Sequence, residues 1–143
     1  NLFFYGDTGV GKTFLSHCIA RELIEQSFCV IYFTAFDLFD RLAQTAFSRK
    51  SETDPGDDFI LDCDLLIIDD FGMVKLDGQV QHDFEQIIDD RYNRKALILA
   101  SQLPVADWYD VFQSELIAEA CLDRIVHKAI KFDLKGESLR KKY

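Results

Sequence analysis

Eight consecutive residues, Gly6-Asp7-Thr8-Gly9-Val10-Gly11-Lys12-Thr13, fill every fixed position of the pattern G-x-x-x-x-G-K-[ST]. Such a loop constrains the fold strongly, because it binds phosphate only at the turn between a buried strand and a helix. Both neighbours are legible. Leu2-Phe3-Phe4-Tyr5 is an apolar, aromatic-rich run ended by glycine, as in a strand that feeds a turn. Phe14, Leu15, Cys18, Ile19, Leu23 and Ile24 then recur three and four apart, with Arg21, Glu22 and Glu25 between them, which gives an amphipathic helix. A helix start aims unpaired backbone N–H groups and the positive end of the helix dipole at one point, where phosphate oxygens complete the hydrogen bonding. Gly6, Gly9 and Gly11 let the chain curl around the phosphates. Asp7, Thr8, Val10 and Phe14 are the other positions expected to line the nucleotide. Lys12 reaches the β- and γ-phosphates, and the Thr13 hydroxyl ligates the accompanying Mg²⁺. The competing reading, a glycine-rich turn with a solvated lysine, makes no use of the flanking strand and helix.

The rest of the chain repeats the alternation. Residues 28–33 form a second apolar run, and Thr34 is placed to cap a helix through about Ala46. Residues 48–58 are polar and contain Pro55-Gly56, which reads as a loop. Leu65-Leu66-Ile67-Ile68 is the third strand, residues 80–92 a helix carrying Phe84, Ile87, Ile88 and Tyr92, and residues 96–100 the fourth strand. A helix over 115–128 and a strand over 129–134 complete the pattern. Strands apolar throughout, alternating with helices, predict a parallel sheet covered on both faces: a three-layer α/β/α sandwich of five strands.

Ligands of such sheets bind at the carboxyl ends of the strands. Asp69-Asp70 and Ser101-Gln102 end the third and fourth strands, on the edge that also carries Gly6. Two adjacent carboxylates after a buried strand repel and are costly to desolvate unless a cation compensates, and Mg²⁺ on a triphosphate is that cation. Asp69 fits the metal-holding role and Asp70 the orienting of an attacking water; the plainer alternative is a capped turn before Gly72. Gln102 is the better candidate to meet the γ-phosphate or that water. Ser101 and Gln102 could equally serve the turn before Pro104.

At 143 residues, 48% hydrophobic and 29% charged, the sequence is long enough for one globular domain. It starts at the first strand without an initiator methionine, so an excised domain lacking upstream partner-binding sequence is expected. A run long enough to cross a membrane and a charged-then-apolar leader are both missing, which predicts a cytoplasmic location. Cys18, Cys29, Cys63 and Cys121 form no C-x-x-C pair and read as reduced, mostly packed thiols. His17, His82 and His127 are scattered and receive no role. A formal charge of −9 excludes a broad basic surface that grips nucleic acid unaided. Positive charge gathers at Lys128, Lys131, Lys135, Arg140, Lys141 and Lys142, either a solvated tail or a nucleic-acid or phosphate contact. A small-molecule kinase would share the phosphate loop but need an arginine-rich lid, a pattern missing between Ala46 and Asp58.

Residues 4–13, the run Leu65-Leu66-Ile67-Ile68-Asp69-Asp70-Phe71-Gly72, Ser101-Gln102-Leu103-Pro104 and Leu122-Asp123-Arg124-Ile125-Val126-His127 together resemble the IstB/DnaC family of AAA+ ATPases. The ending Gly136-Glu137-Ser138-Leu139-Arg140 is similar to the IstB branch. This resemblance spans essentially the whole chain. It implies an AAA+ core that binds and hydrolyses ATP with Mg²⁺, assembles as a homo-oligomer on DNA, and serves a transposase; a DnaC-type loader of the replicative helicase is the near alternative. A module that switches its interactions with nucleotide and scarcely hydrolyses it is a third reading. The family pattern also implies that Arg124 is an arginine finger acting in the neighbouring subunit, against the plainer reading of a salt bridge with Asp123 or Glu119. Arg140 is a weaker match for a phosphate contact within the subunit. Two departures stand out: Asp70 replaces the glutamate common in AAA+ proteins, which predicts slow hydrolysis, and little or no lid domain follows the last strand.

Overall fold

Five parallel strands in the order β2-β3-β4-β1-β5 form a single sheet. The computed structural model describes residues 1–48, 58–76, 78–127 and 129–138. In chain order these give β1 (Leu2–Gly6), α1 (Lys12–Glu25), β2 (Val30–Thr34), α2 (Ala35–Ser48), α3 (Asp58–Asp62), β3 (Leu65–Asp69), α4 (Gly78–Arg91), β4 (Ala96–Ser101), a 3₁₀ helix over Val105–Val111, α5 (Glu115–Val126) and β5 (Ile130–Leu134). This is the three-layer α/β/α architecture around five parallel strands expected from the sequence.

Side-chain alternation along the strands divides the core in two. On one face Phe4, Leu65, Ile67, Ile98 and Ala100 pack against Ile19, Ala20 and Leu23 of α1. On the other, Phe3, Leu66, Ile68, Leu97 and Leu99 meet the apolar faces of α2, α4 and α5, with Trp108 and Phe71 wedged between. Each such aliphatic side chain contributes about 1.5–3 kcal/mol through burial. The division also decides where the acids point: Asp69 shares the parity of Leu65 and Ile67, so its carboxylate lies on the α1 side.

The expected cover on both faces of every strand holds in the middle of the sheet only. All residues of β3 are buried, whereas β2 and β5 are the edges, and residues 130–133 of β5 are exposed. An edge strand has one pairing neighbour, so apolar composition alone does not bury it.

Local signals place the helix starts. The Thr34 hydroxyl accepts from the Asp37 N–H at 3.1 Å, and the Ser114 hydroxyl accepts from the Ile117 N–H at 3.4 Å. Ser48 ends α2 and Asp58 begins α3, so both ends of the expected loop are helical; Pro55-Gly56 lies outside the described residues. In α4, Arg91 is buried. Its guanidinium donates to the carbonyls of Ile60, Cys63 and Ala96 at 2.7–2.9 Å and so joins the end of α3 to the start of β4. Of the thiols, Cys63 and Cys121 are buried and Cys18 and Cys29 exposed, a correction to the mostly packed set expected; the exposed pair lies on the outer side of α1 and just before β2.

Candidate functional site

β1 delivers the chain to the carboxyl edge of the sheet, where residues 7–11 turn it into α1. Gly6 has φ 149°, and a Cβ there would lie 2.2 Å from the Leu134 carbonyl oxygen on the neighbouring β5. Gly9 has φ 84° and Gly11, which caps α1, has φ 104°; both lie in the region open to glycine. Gly11 has no side chain to satisfy the first N–H groups of α1, which therefore point outward as anion donors. Lys12 is 6% exposed, and its ammonium donates to the carbonyls of Gly6 and Asp7 at 2.7 Å each. The ammonium is thus held inside the curl of the loop. Asp7 and Thr8 are exposed, Val10 is half-buried, and Phe14 is 70% exposed on the first turn of α1.

Across from the loop, the Thr13 hydroxyl donates to Asp69 Oδ2 at 2.6 Å. Asp69 is 2% exposed. A second hydroxyl, that of Tyr32 on β2, donates to the same oxygen at 2.7 Å, and the Asp70 N–H donates to Oδ1 at 2.9 Å. Three donors satisfy an otherwise costly buried carboxylate. Burial first, then the hydrogen bond to Asp69 and the charges of Asp69, Asp70 and Asp37, push the Tyr32 phenol well above its ordinary range. The His17 ring meets the Tyr32 ring edge to face at 4.7 Å.

One hydroxyl and one carboxylate side by side make an oxygen-only donor set. Among the described residues no group of three or more His, Cys, Asp or Glu gathers to hold a metal alone. The pair suits Mg²⁺, which keeps waters and arrives with phosphate oxygens in its shell.

Asp70 has φ 54°, an uncommon backbone for a residue with a side chain. With Gln102, Thr34, Phe36, Met73 and Val74 it lines a cleft of about 310 Å³. Asp70 and Gln102 therefore come together across the ends of β3 and β4. Ser101 instead serves the turn, its hydroxyl donating to the Phe71 carbonyl and accepting the Leu103 N–H.

Arg124 stands apart. It borders a small cavity with Asn1, Lys95 and Leu97, at the amino ends of β1 and β4. Strands of this length hold the two edges of the sheet about 13 Å apart, so Arg124 cannot reach the phosphate loop of its own subunit. Neither Asp123 nor Glu119 pairs with it, because neither spacing puts side chains on one helix face. Its Nε pairs with Asp89 of α4 at 2.9 Å, and Nη1 donates to the Ala120 carbonyl at 3.0 Å. Arg140 lies outside the described residues.

Sequence reasoning missed two residues here. Tyr32 is hidden in an apolar run, and only the pairing of Tyr32 with Ile67 in the sheet brings its hydroxyl to Asp69. Ser138 lies against the loop: a Cβ on Gly9 would sit 2.1 Å from its Oγ. The Gly-Glu-Ser ending was a signal for Ser138, but one without a place.

Comparison with known proteins places these features in a family. IstB-like ATP binding protein is the family matched, over residues 1–143. A protein of Sinorhizobium fredii described as an insertion sequence ATP-binding protein is 37% identical over 145 residues, covering 99% of this chain and 57% of that protein. A counterpart from Geobacillus stearothermophilus is 35% identical over 140 residues, with 98% and 55% covered. The chain thus spans just over half the length of the curated relatives it matches. Among solved structures, a DnaC helicase loader aligns with TM-score 0.77 at 24% identity, covering 94% of this chain and 77% of that one. AMPPCP-bound DnaA from Aquifex aeolicus aligns with TM-score 0.75 at 23% identity, with 97% and 42% covered. At such identities these two likenesses establish the fold.

Proposed function

The chain belongs to the family of IstB-like ATP-binding proteins, and from that premise we propose that it is a Mg²⁺-dependent ATPase that assembles in several copies on DNA and helps a transposase. The observation that carries this reading is the meeting of Thr13, Asp69, Asp70 and Gln102 at the sheet edge that holds the Lys12 loop. In the proposed cycle the loop N–H groups bind the triphosphate, and Lys12 exchanges the Gly6 and Asp7 carbonyls for phosphate oxygens. Bound Mg²⁺, held by Thr13 and Asp69, would neutralise charge that builds on the phosphates. Asp70 orients and polarises the attacking water, and Gln102 hydrogen-bonds that water or the γ-phosphate. Asp70 is one methylene shorter than the usual glutamate, which favours slow turnover and a timing role.

Arg124 completes the site of a neighbouring copy, where its guanidinium steadies charge on the γ-phosphate. Its seat on the opposite edge of the sheet supports this assignment. With a net charge of −9 over residues 1–143, DNA contact calls on several copies acting together or on sequence outside this stretch. The insertion-sequence relatives favour a transposase as partner; loading of a replicative helicase is the second reading, favoured by the extent of the likeness to the DnaC loader.

Hydrolysis measured against protein concentration, with and without duplex DNA, tests the proposal. The rate per subunit should rise with concentration and fall by about a hundredfold or more in Lys12→Ala and Arg124→Ala. Mixing the two inactive variants should restore activity, since each supplies what the other lacks. Retained hydrolysis in Lys12→Ala sinks the ATP site as assigned, and a mixture that stays inactive sinks the shared one.

A further inference from the structure

Asp69 is held by three elements at once: α1 through Thr13, the edge strand β2 through Tyr32, and the turn after β3 through the Asp70 N–H. Thr13 is the member of this set with a second task, since an oxygen that ligates a cation must aim a lone pair at it. The other two donors are the Asp70 backbone N–H on Oδ1 and the Tyr32 hydroxyl on Oδ2. One donor on each oxygen fixes both the position and the twist of a carboxylate. Tyr32 is well placed for this. It pairs with Ile67, two residues before Asp69 on the same face of the neighbouring strand, so its ring lies diagonally across the pair and its hydroxyl ends at Oδ2. From α1, His17 packs edge-on against that ring.

We propose that Tyr32 is a positioning residue for the metal-holding carboxylate: through its hydroxyl it orients Asp69 toward the Mg²⁺ that accompanies ATP. The inference rests on the reading of Asp69 as the metal-holding residue, and the two are tested separately. Tyr32→Phe removes one oxygen and keeps the ring, with its packing on His17.

ATP binding is measured by calorimetry over a range of free Mg²⁺ and again in EDTA. In Tyr32→Phe the Mg²⁺ concentration at half-effect should rise about tenfold, the lower range for loss of an outer partner of a metal ligand. Affinity in EDTA should stay within about twofold, the margin of independent sites. Asp69→Asn should lose most of the gain that Mg²⁺ gives, and adding Tyr32→Phe to it should change nothing further. If Asp69→Asn keeps its Mg²⁺ response, the metal reading of Asp69 fails. If Asp69→Asn loses that response while Tyr32→Phe leaves the half-effect concentration unchanged or lowers it, the role of Tyr32 alone is overturned. Equal weakening with and without Mg²⁺ in Tyr32→Phe overturns it too, as that marks a general disturbance of the fold.

Discussion

Gly9→Ala should disable the loop by two separable effects. At φ 84° a residue with a Cβ is strained by about 1–2 kcal/mol. The new carbon would also sit 2.1 Å from Ser138 Oγ, 2.9 Å from Ser138 Cβ and 3.3 Å from Ser138 Cα, so residues 136–138 or the loop must move. Forced displacement of this kind costs about 1–3 kcal/mol. The smallest sum is about 2 kcal/mol, and taken from a loop that must hold its curl to bind phosphate it lowers ATP affinity about thirtyfold. Gly78→Ala is the control: φ is 51°, and nothing lies within 4 Å of the added carbon. That variant should carry a backbone penalty of about 1 kcal/mol in stability and bind ATP normally. Calorimetric titration of ATP on both variants, with a thermal melt of each, measures the difference. Ser138→Gly added to Gly9→Ala removes the two closest atoms, and should recover the steric part of the loss while leaving the backbone part. ATP affinity in Gly9→Ala within about twofold of the parent would refute the reasoning, as would a double variant no better than the single one.

Two further outcomes follow from buried groups. Arg91→Met leaves the carbonyls of Ile60, Cys63 and Ala96 without their donor; each lost buried partner costs about 1–3 kcal/mol, partly offset because a charge no longer has to be buried, so a urea melt should show a loss of about 2–4 kcal/mol. A loss under about 1 kcal/mol would mean that water replaces the guanidinium. Burial pushes the Cys63 and Cys121 thiols up from their ordinary range, with Arg91 opposing the rise at Cys63 and Glu85 adding to it at Cys121. At pH 8, then, a disulfide reagent should label Cys18 and Cys29 in the folded chain and all four thiols only after denaturation; fast native labelling of Cys63 or Cys121 contradicts the packing described.

Most of the site was legible because its parts are tied to strand ends. An apolar run ended by glycine, or by two aspartates, gives both a strand and the edge on which its last residues lie, so Lys12, Thr13, Asp69, Asp70 and Gln102 could be gathered from the sequence. What escaped depends on register and on helix face. Tyr32 looks like any aromatic strand residue until the pairing of β2 with β3 puts it beside Ile67. Arg124 was weighed against Asp123 and Glu119, both near in sequence, whereas its partner Asp89 comes from another helix. The four-residue spacing from Ile87 to Arg91 puts Arg91 on the inward face of α4, and the carbonyls at the end of α3 that its guanidinium meets explain its burial. The 3₁₀ helix over Val105–Val111 was missed because Pro104 and the polar residues around it read as a turn.

Arg124 lies on the edge of the sheet opposite the phosphate loop, which gives each molecule two unlike ends. For copies joined by the proposed contact, one end offers a loop and the other an arginine, so every junction is head to tail. An open chain of n such copies has one junction fewer than copies, leaving a loop without its arginine at one terminus and an arginine without its loop at the other. The two termini are then chemically distinct: nucleotide in a junction is exposed to turnover, while nucleotide in the terminal loop is spared. Growth and loss at the two ends would proceed at different rates, and the assembly would carry a direction along any duplex it covers.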